Sequence, residues 1–302
     1  MKCFWGSFAS SLSILCLLYL CFSSSFQAAS AGQAGGGSSV ADYLTEELFE
    51  AILKNRNDPI CPARGFYTYE SFLEAAKNFS DFGTTGDQET RKREIAAFFG
   101  LTSYLTSAPG WWLRGQRGSD EYSWGYCIVK DPYPGSYDYC EPLAKNYPCV
   151  PGQKYYGRGP VQLSWSFHYG QVGEGIGYDI LSKADLVAED PVISFKTALW
   201  IWMTPPGCGT GVPSPHEIMT GKWTPSDIDL NAGRSPGYGA VTNIVTDGSI
   251  CGRGWDPKDE NAVRYYKRVS YIFGVDAGKN LDCNYQLRFG ECLSKATNIS
   301  SM

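Results

Sequence analysis

Apolar residues recur every three or four positions in three stretches of the N-terminal half, and that period predicts three helices. In DYLTEELFEAILKNR (42–56), Leu44, Leu48 and Ile52 are spaced by four and fall on one face. In YESFLEAAKNF (69–79), Phe72, Leu73, Ala76 and Phe79 share a stripe. A third helix, from about Asp87 to Leu105, opens on the charged run DQETRKRE and passes into Ile95-Ala96-Ala97-Phe98-Phe99, so its C-terminal end points inward. From about 107 to 170 the period disappears. Gly, Pro, Tyr and Trp crowd this stretch, and turn signals this dense predict loops and a small sheet. Helices return at Asp190-Pro191, an Asp cap followed by Pro at the first helical position, leading into ISFKTALWIWM. Asp256-Pro257 repeats the device and opens a helix whose Val263, Tyr266 and Val269 face the core and which stops at Gly274. No repeat or linker divides these elements. They predict one α+β domain, mainly helical with a small β element.

Composition narrows the class. At 302 residues, 43% hydrophobic and 15% aromatic, the chain can bury one sizeable core. A net charge of −5 gives no basic footprint for a phosphate backbone, which argues against a nucleic-acid partner. Lys2, the short apolar run from Leu12 to Phe22 and the small residues Ala28-Ala29-Ser30-Ala31 read as a secretory signal over 1–31. A flexible leader over 32–40 follows, then the domain over 41–290 and a tail over 291–302. After signal cleavage no membrane segment is expected.

Secretion gives the cysteines a meaning. Of eleven, Cys3, Cys16 and Cys21 leave with the signal, and the remaining eight suit four disulfides in an oxidising compartment. A zinc site is not expected, because no close CxxC pair exists and the mature chain has only His168 and His216. No cofactor motif appears. Asn78 and Asn298 head sequons that can carry glycans.

Six ordered motifs then become specific: FYTYESFLEAAKNFSDFGTTGDQETRKREIAAF (66–98), WGYC (124–127), YYGRGPVQLSW (155–165), DPVISFKTALWIWMTP (190–205), GRSPGYGAVTNIV (233–245) and NLDC (280–283). Over 42–289 the chain resembles the plant chitinases of glycoside hydrolase family 19. The resemblance implies a lysozyme-like, two-lobed fold with a long substrate cleft, while the secretory signal implies an extracellular location, in the apoplast or cell wall, and a monomer is expected. It also implies the pairs Cys61–Cys127, Cys140–Cys149 and Cys251–Cys283. The remainder, Cys208 and Cys292, is expected to form a further bridge. No cysteine-rich lectin module precedes the domain.

Enzymes of this family resemble inverting hydrolases, which need one protonated carboxyl for the leaving oxygen and a second carboxylate to activate water. The family's acid sits in an SHET sequence ending the third helix. Here those positions are Ser103, Tyr104, Leu105 and Thr106, and leucine cannot deliver a proton. The position matching the second carboxylate is Asp131, one methylene shorter and followed by Pro132. Further departures are Tyr147, Phe167, His168, Thr246 and Ala262, where the family has tryptophan, tyrosine, asparagine, asparagine and arginine. Losing a positioned general acid alone removes roughly 10²–10⁴ in rate. Asp120 and Glu121, in an enlarged loop, are the only candidate replacements singled out.

Sugar recognition needs aromatic faces and fixed hydrogen-bond partners, and both survive. The resemblance assigns cleft contacts to Trp124, Tyr126, Tyr147, Gln162, Ser164, His168, Arg234 and Asn243; for Trp124 and Tyr126 the alternative is core packing beside the first disulfide. Trp111 and Trp112 offer a further platform. The expected function is binding of a β-1,4-linked wall polysaccharide without hydrolysis; the alternatives are an active or weakly active endochitinase and a scaffold for protein partners.

Overall fold

Side-chain caps start most of the helices where the sequence supplies an oxygen for the unpaired backbone N–H groups. The computed structural model describes residues 39–110, 112, 120–142, 144–206 and 211–290. The expected signal and leader up to 38, Trp111, Cys208, Cys292, Asn298 and the 291–302 tail lie outside the described residues.

The first expected helix is split. A 3₁₀ turn, Val40–Asp42, is capped by Ser39, and α1 (Glu46–Ile52) restarts at Thr45, whose side chain accepts from Leu48 N. Thr45 competes with its own helix, since a cap residue holds extended backbone. The second helix, α2 (Tyr69–Ala76), is capped by Thr68. The long third helix, α3 (Gln88–Leu105), begins where Asp87 accepts from Thr90 N at 2.8 Å.

The expected small sheet does not form among the described residues. Two isolated bridges, Lys130 to Arg158 and Arg158 to Leu163, take its place. Arg158 explains the outcome: its buried guanidinium donates to the Lys154 and Tyr156 carbonyls, to Tyr169 Oη and to Asp185, so turns rather than a ladder satisfy this backbone. Helix α4 (Ser166–Ile176) follows directly, then α5 (Leu186–Glu189) and α6 (Pro191–Met203), where Asp190 accepts from Val192 N and Ile193 N. Short helices α7 (Pro215–Met219) and α8 (Asp227–Asn231) carry Ser-headed capping boxes, and α9 (Tyr238–Val245) precedes α10 (Pro257–Phe273). Gly274 ends α10 in the left-handed conformation, as expected.

The core gathers around α3, which packs on α10 and α7, while α2 packs on α6. Gly100 makes the α3–α10 approach possible, since a Cβ there would lie 2.6 Å from the Tyr266 Cα. Phe49, Phe72, Phe98, Phe99, Phe195 and Trp202 form a buried aromatic cluster. Three disulfides, Cys61–Cys127, Cys140–Cys149 and Cys251–Cys283, tie the loops that period analysis leaves irregular. Asn78 is exposed just beyond α2.

Asp259, buried in the first turn of α10, accepts from Cys283 N at 2.9 Å. Burial pushes its carboxyl up to about 6, with neighbouring Asp282, Asp256 and Glu260 adding to the effect. The folded chain therefore binds this proton more tightly than the unfolded chain does, and stability from this group falls as pH rises from about 4 to about 6. Asp259→Asn keeps an acceptor for Cys283 N–H and removes the buried charge. Thermal denaturation is expected to show the variant more stable by roughly 1–2 kcal/mol at pH 7, a gain of a few degrees that disappears near pH 4.

Candidate functional site

The C-terminal end of α3 opens into the wall of a groove of about 960 Å³. Tyr104 and Leu105 supply that wall, and neither side chain is an acid at neutral pH. Tyr104 packs against Ile250 and the Cys251–Cys283 bridge, and its hydroxyl is pushed up to about 12, first by burial and then by Asp256 and Asp259. Leu105 packs against the main core. The end of the helix is thus an apolar ledge.

The opposite wall is the loop that feeds α4. Gln162 and Trp165 both hold left-handed backbone, with φ of 50° and 73°, an arrangement that costs non-glycine residues of order 1–3 kcal/mol each and persists only where the surroundings enforce it. Gln162 is held by its amide, which donates to the Gly159 carbonyl at 2.9 Å. Ser164 also lines the groove, and its carbonyl lies 3.0 Å from His168 Nδ1. That partner places the proton on Nδ1 and leaves Nε2 as an acceptor. Burial pushes the His168 imidazole down to about 4, so the ring is neutral over the ordinary pH range. Phe167 stands beside it with ring centroids 4.1 Å apart.

The end of α9 and the turn after it complete the site. Asn243 donates through Nδ2 to the Leu287 carbonyl at 3.2 Å, while its buried Oδ1 has no partner. A buried acceptor without a donor is costly, and it is a natural place for a ligand N–H or O–H. Thr246 turns its hydroxyl back to the Thr242 carbonyl at 2.7 Å. Asp247, with φ of 49°, is the one carboxylate among the described groove-lining residues. Its carboxyl is raised by partial burial, and Arg288, which also lines the groove, opposes that rise.

Several residues singled out from sequence stand elsewhere. Trp124 packs with Ala108, Trp112 and the Cys61–Cys127 bridge. Tyr126 is fully buried, its ring 4.7 Å from that of Tyr67 and its hydroxyl 2.8 Å from Thr102 Oγ1. Both are core residues, because the first disulfide folds WGYC inward. Tyr147 lies over Gly170 and donates to Glu174, outside the groove lining. Arg234 is committed to Asp229 at 3.0 Å and to the Arg288 carbonyl at 2.8 Å, so it positions the segment that carries Arg288 and Phe289 instead of facing a ligand.

Asp131 belongs to a second cavity, of about 720 Å³, with Arg64, Lys130 and Tyr156. Its Oδ1 accepts from Tyr133 N at 2.8 Å. Asp120 is held by both Nε and Nη2 of Arg268, and neither it nor Glu121 lines the groove. Ala262 is buried beneath Tyr238, whose hydroxyl donates to the Ala262 carbonyl. No cluster of three or more His, Cys, Asp or Glu able to hold a metal ion occurs among the described residues.

The groove also contains aromatic faces and a carboxylate that the sequence reading did not single out: Trp165, Trp200 and Asp247. Trp200 lies within the unbroken apolar run of α6, where Trp202 is buried and Trp200 half-buried, and no period separates them. Three cations, Arg253, Lys258 and Arg288, line the groove with one carboxylate, Asp247, among the described residues.

Residues 43–283 match the profile of the family described as Chitinase class I. The chain is similar to Inactive chitinase-like protein 1 of Hevea brasiliensis, 51% identical over 259 residues that cover 86% of this chain and 80% of that one. It is also similar to Chitinase 2 of Oryza sativa subsp. japonica, 52% identical over 250 residues covering 83% and 71%. Among solved structures, the family GH19, class IV chitinase from Zea mays aligns with a TM-score of 0.60 at 31% identity, covering 80% of this chain and 98% of that one. Near-equal identity to relatives named inactive and named chitinase leaves activity to be argued from the groove's own groups.

Proposed function

The chain belongs to glycoside hydrolase family 19, and from that premise we propose a secreted, monomeric protein that holds a β-1,4-linked wall polysaccharide, chitin-like or cellulose-related, without hydrolysing it. Its place is the apoplast or wall, in wall assembly. One observation carries this reading: among the described residues, the groove that Leu105 lines presents a single carboxyl, Asp247, beside Arg288. An inverting hydrolysis needs an acid and a base on opposite faces of one bond, about 6.5–9.5 Å apart. One carboxyl cannot fill both roles, and His168, neutral and tied to Ser164, supplies no proton.

What remains suits retention. Trp165 and Trp200 offer ring faces, Gln162, Ser164 and His168 Nε2 offer polar partners, and Asn243 Oδ1 waits for a donor. Retention on insoluble chitin, cellulose and hemicellulose tests the reading. Wild type is expected to bind at least one of them, and Trp200→Ala to weaken that binding about tenfold, as for an aromatic anchor. Passage through all three unretained would overturn it.

A second reading draws on Asp247 itself. A groove-lining carboxyl with a raised pKa is the chemistry of a general acid, and it favours a weakly active endochitinase. Any slow release of chito-oligosaccharides that vanishes in Asp247→Asn decides for it.

A further inference from the structure

The groove ends on a segment unlike the rest of it. Residues 251–258 are pinned by the Cys251–Cys283 bridge, and they pair with the following turn through Gly252 N to the Cys283 carbonyl and Gly254 N to the Asn284 carbonyl, at 3.0 and 2.9 Å. Asp256 N adds a bond to Asn284 Oδ1. This pairing sets Trp255 and Tyr285 on facing segments, and both are held outward, 69% and 80% exposed. Arg253 and Lys258, on either side of Trp255 in the chain, line the groove.

Charge separates this end from the apolar ledge. Asp247 and Arg288 offset one another electrostatically. Arg253 reaches only the Ser249 carbonyl, and neither Arg253 nor Lys258 makes an ion pair among the described residues. Two cations without an ion-pair partner among the described residues therefore border the groove of a chain whose net charge is −5. A neutral glucan or chitin has no charge for them to meet. Asp256 lies on the same segment, where its carboxylate accepts from Lys258 N as the cap of α10 and keeps its charge.

We propose that this end of the groove is a subsite for a carboxylate-bearing glycan, a uronate whose acid group meets Arg253 and Lys258 while the flat face of its ring rests on Trp255. Trp and Tyr rings take the apolar side of a pyranose, and guanidinium and ammonium groups select the carboxylate. Exposed ion pairs are individually weak, so two of them set a preference of roughly threefold to thirtyfold over a neutral chain of equal length. The inference rests on the polysaccharide-binding reading of the groove.

Calorimetric titration of the full secreted protein tests it with three hexasaccharides: an oligogalacturonide, a cello-oligosaccharide and a chito-oligosaccharide. The oligogalacturonide is expected to bind about tenfold more tightly than the better neutral ligand at low salt, with the advantage shrinking as salt rises. Arg253→Gln/Lys258→Gln is expected to remove that advantage and leave neutral binding in place. Trp255→Ala should weaken the oligogalacturonide further. Neutral ligands binding as well as the acidic one would overturn the subsite while leaving the groove reading intact. Persistence of the acidic preference in the double variant would show the site is misplaced, and failure of all three ligands would overturn both readings.

Discussion

Leu105→Glu is expected to turn a protein with no measurable hydrolysis of soluble chito-oligosaccharides into one that cuts them slowly, at least about a hundredfold above the wild-type background. The position is suited to an acid. It ends α3, where the helix dipole disfavours a negative charge, and it belongs with Tyr104 to the apolar ledge of the groove. Both influences raise a carboxyl's pKa, so the new glutamate stays protonated near neutral pH, as a proton donor must. The gain is partial, because Asp131 is one methylene shorter than glutamate and its Oδ1 is held by Tyr133 N–H. Leu105→Glu/Asp131→Glu is therefore expected to exceed the single variant. Chromatography of chitohexaose digests reads the result, with circular dichroism to establish that the variants are folded. Wild type already cutting at the rate of Leu105→Glu would mean that another group supplies the proton.

The helices that were legible are those whose caps and stripes both show in sequence. Asp190-Pro191 and Asp256-Pro257 carry local chemistry strong enough to fix where a helix begins, and Gly274 fixes where one ends. Helices α7 and α8 carry capping boxes too, at Ser214 with Glu217 and Ser226 with Asp229, but at five residues each they are too short for a period to emerge. Helix α9 starts after Gly237 with no side-chain cap and runs only eight residues, so no start signal marks it in sequence. The site divides along the same line. That Leu105 can be no acid was readable, since no packing can give leucine a proton. Whether an aromatic ring faces sugar or core was not: Trp124 and Tyr126 share a motif with the first disulfide, and only tertiary packing turns them inward. Asp247 was missed because a lone aspartate after a helix reads as an ordinary turn residue.

Glu94→Ala is expected to cost about 3–5 kcal/mol, the largest single loss predicted for this fold outside the disulfides. Glu94 is fully buried on α3, and three elements meet on its carboxylate. Oε1 accepts from Trp202 Nε1 of α6 at 3.1 Å and lies 2.6 Å from His216 Nδ1 of α7, while Oε2 accepts from Gly83 N at 3.0 Å. Lys222 Nζ stands 3.2 Å from His216 Nε2, which fixes the imidazole's donor toward the carboxylate. Alanine strands all three donors in a dry core, and each buried group left unpaired costs about 1–3 kcal/mol. At 2–4 °C per kcal/mol for a domain of this size, the melting temperature should fall by roughly 6–20 °C. Glu94→Gln keeps the shape and an acceptor, so its loss should be smaller. In Glu94→Ala/His216→Ala the penalties overlap, because both singles break the same contact, and the double variant is expected to lose less than the sum. A loss below about 1 kcal/mol for Glu94→Ala would mean that water reaches these donors, and that α3, α6 and α7 are joined by apolar packing alone.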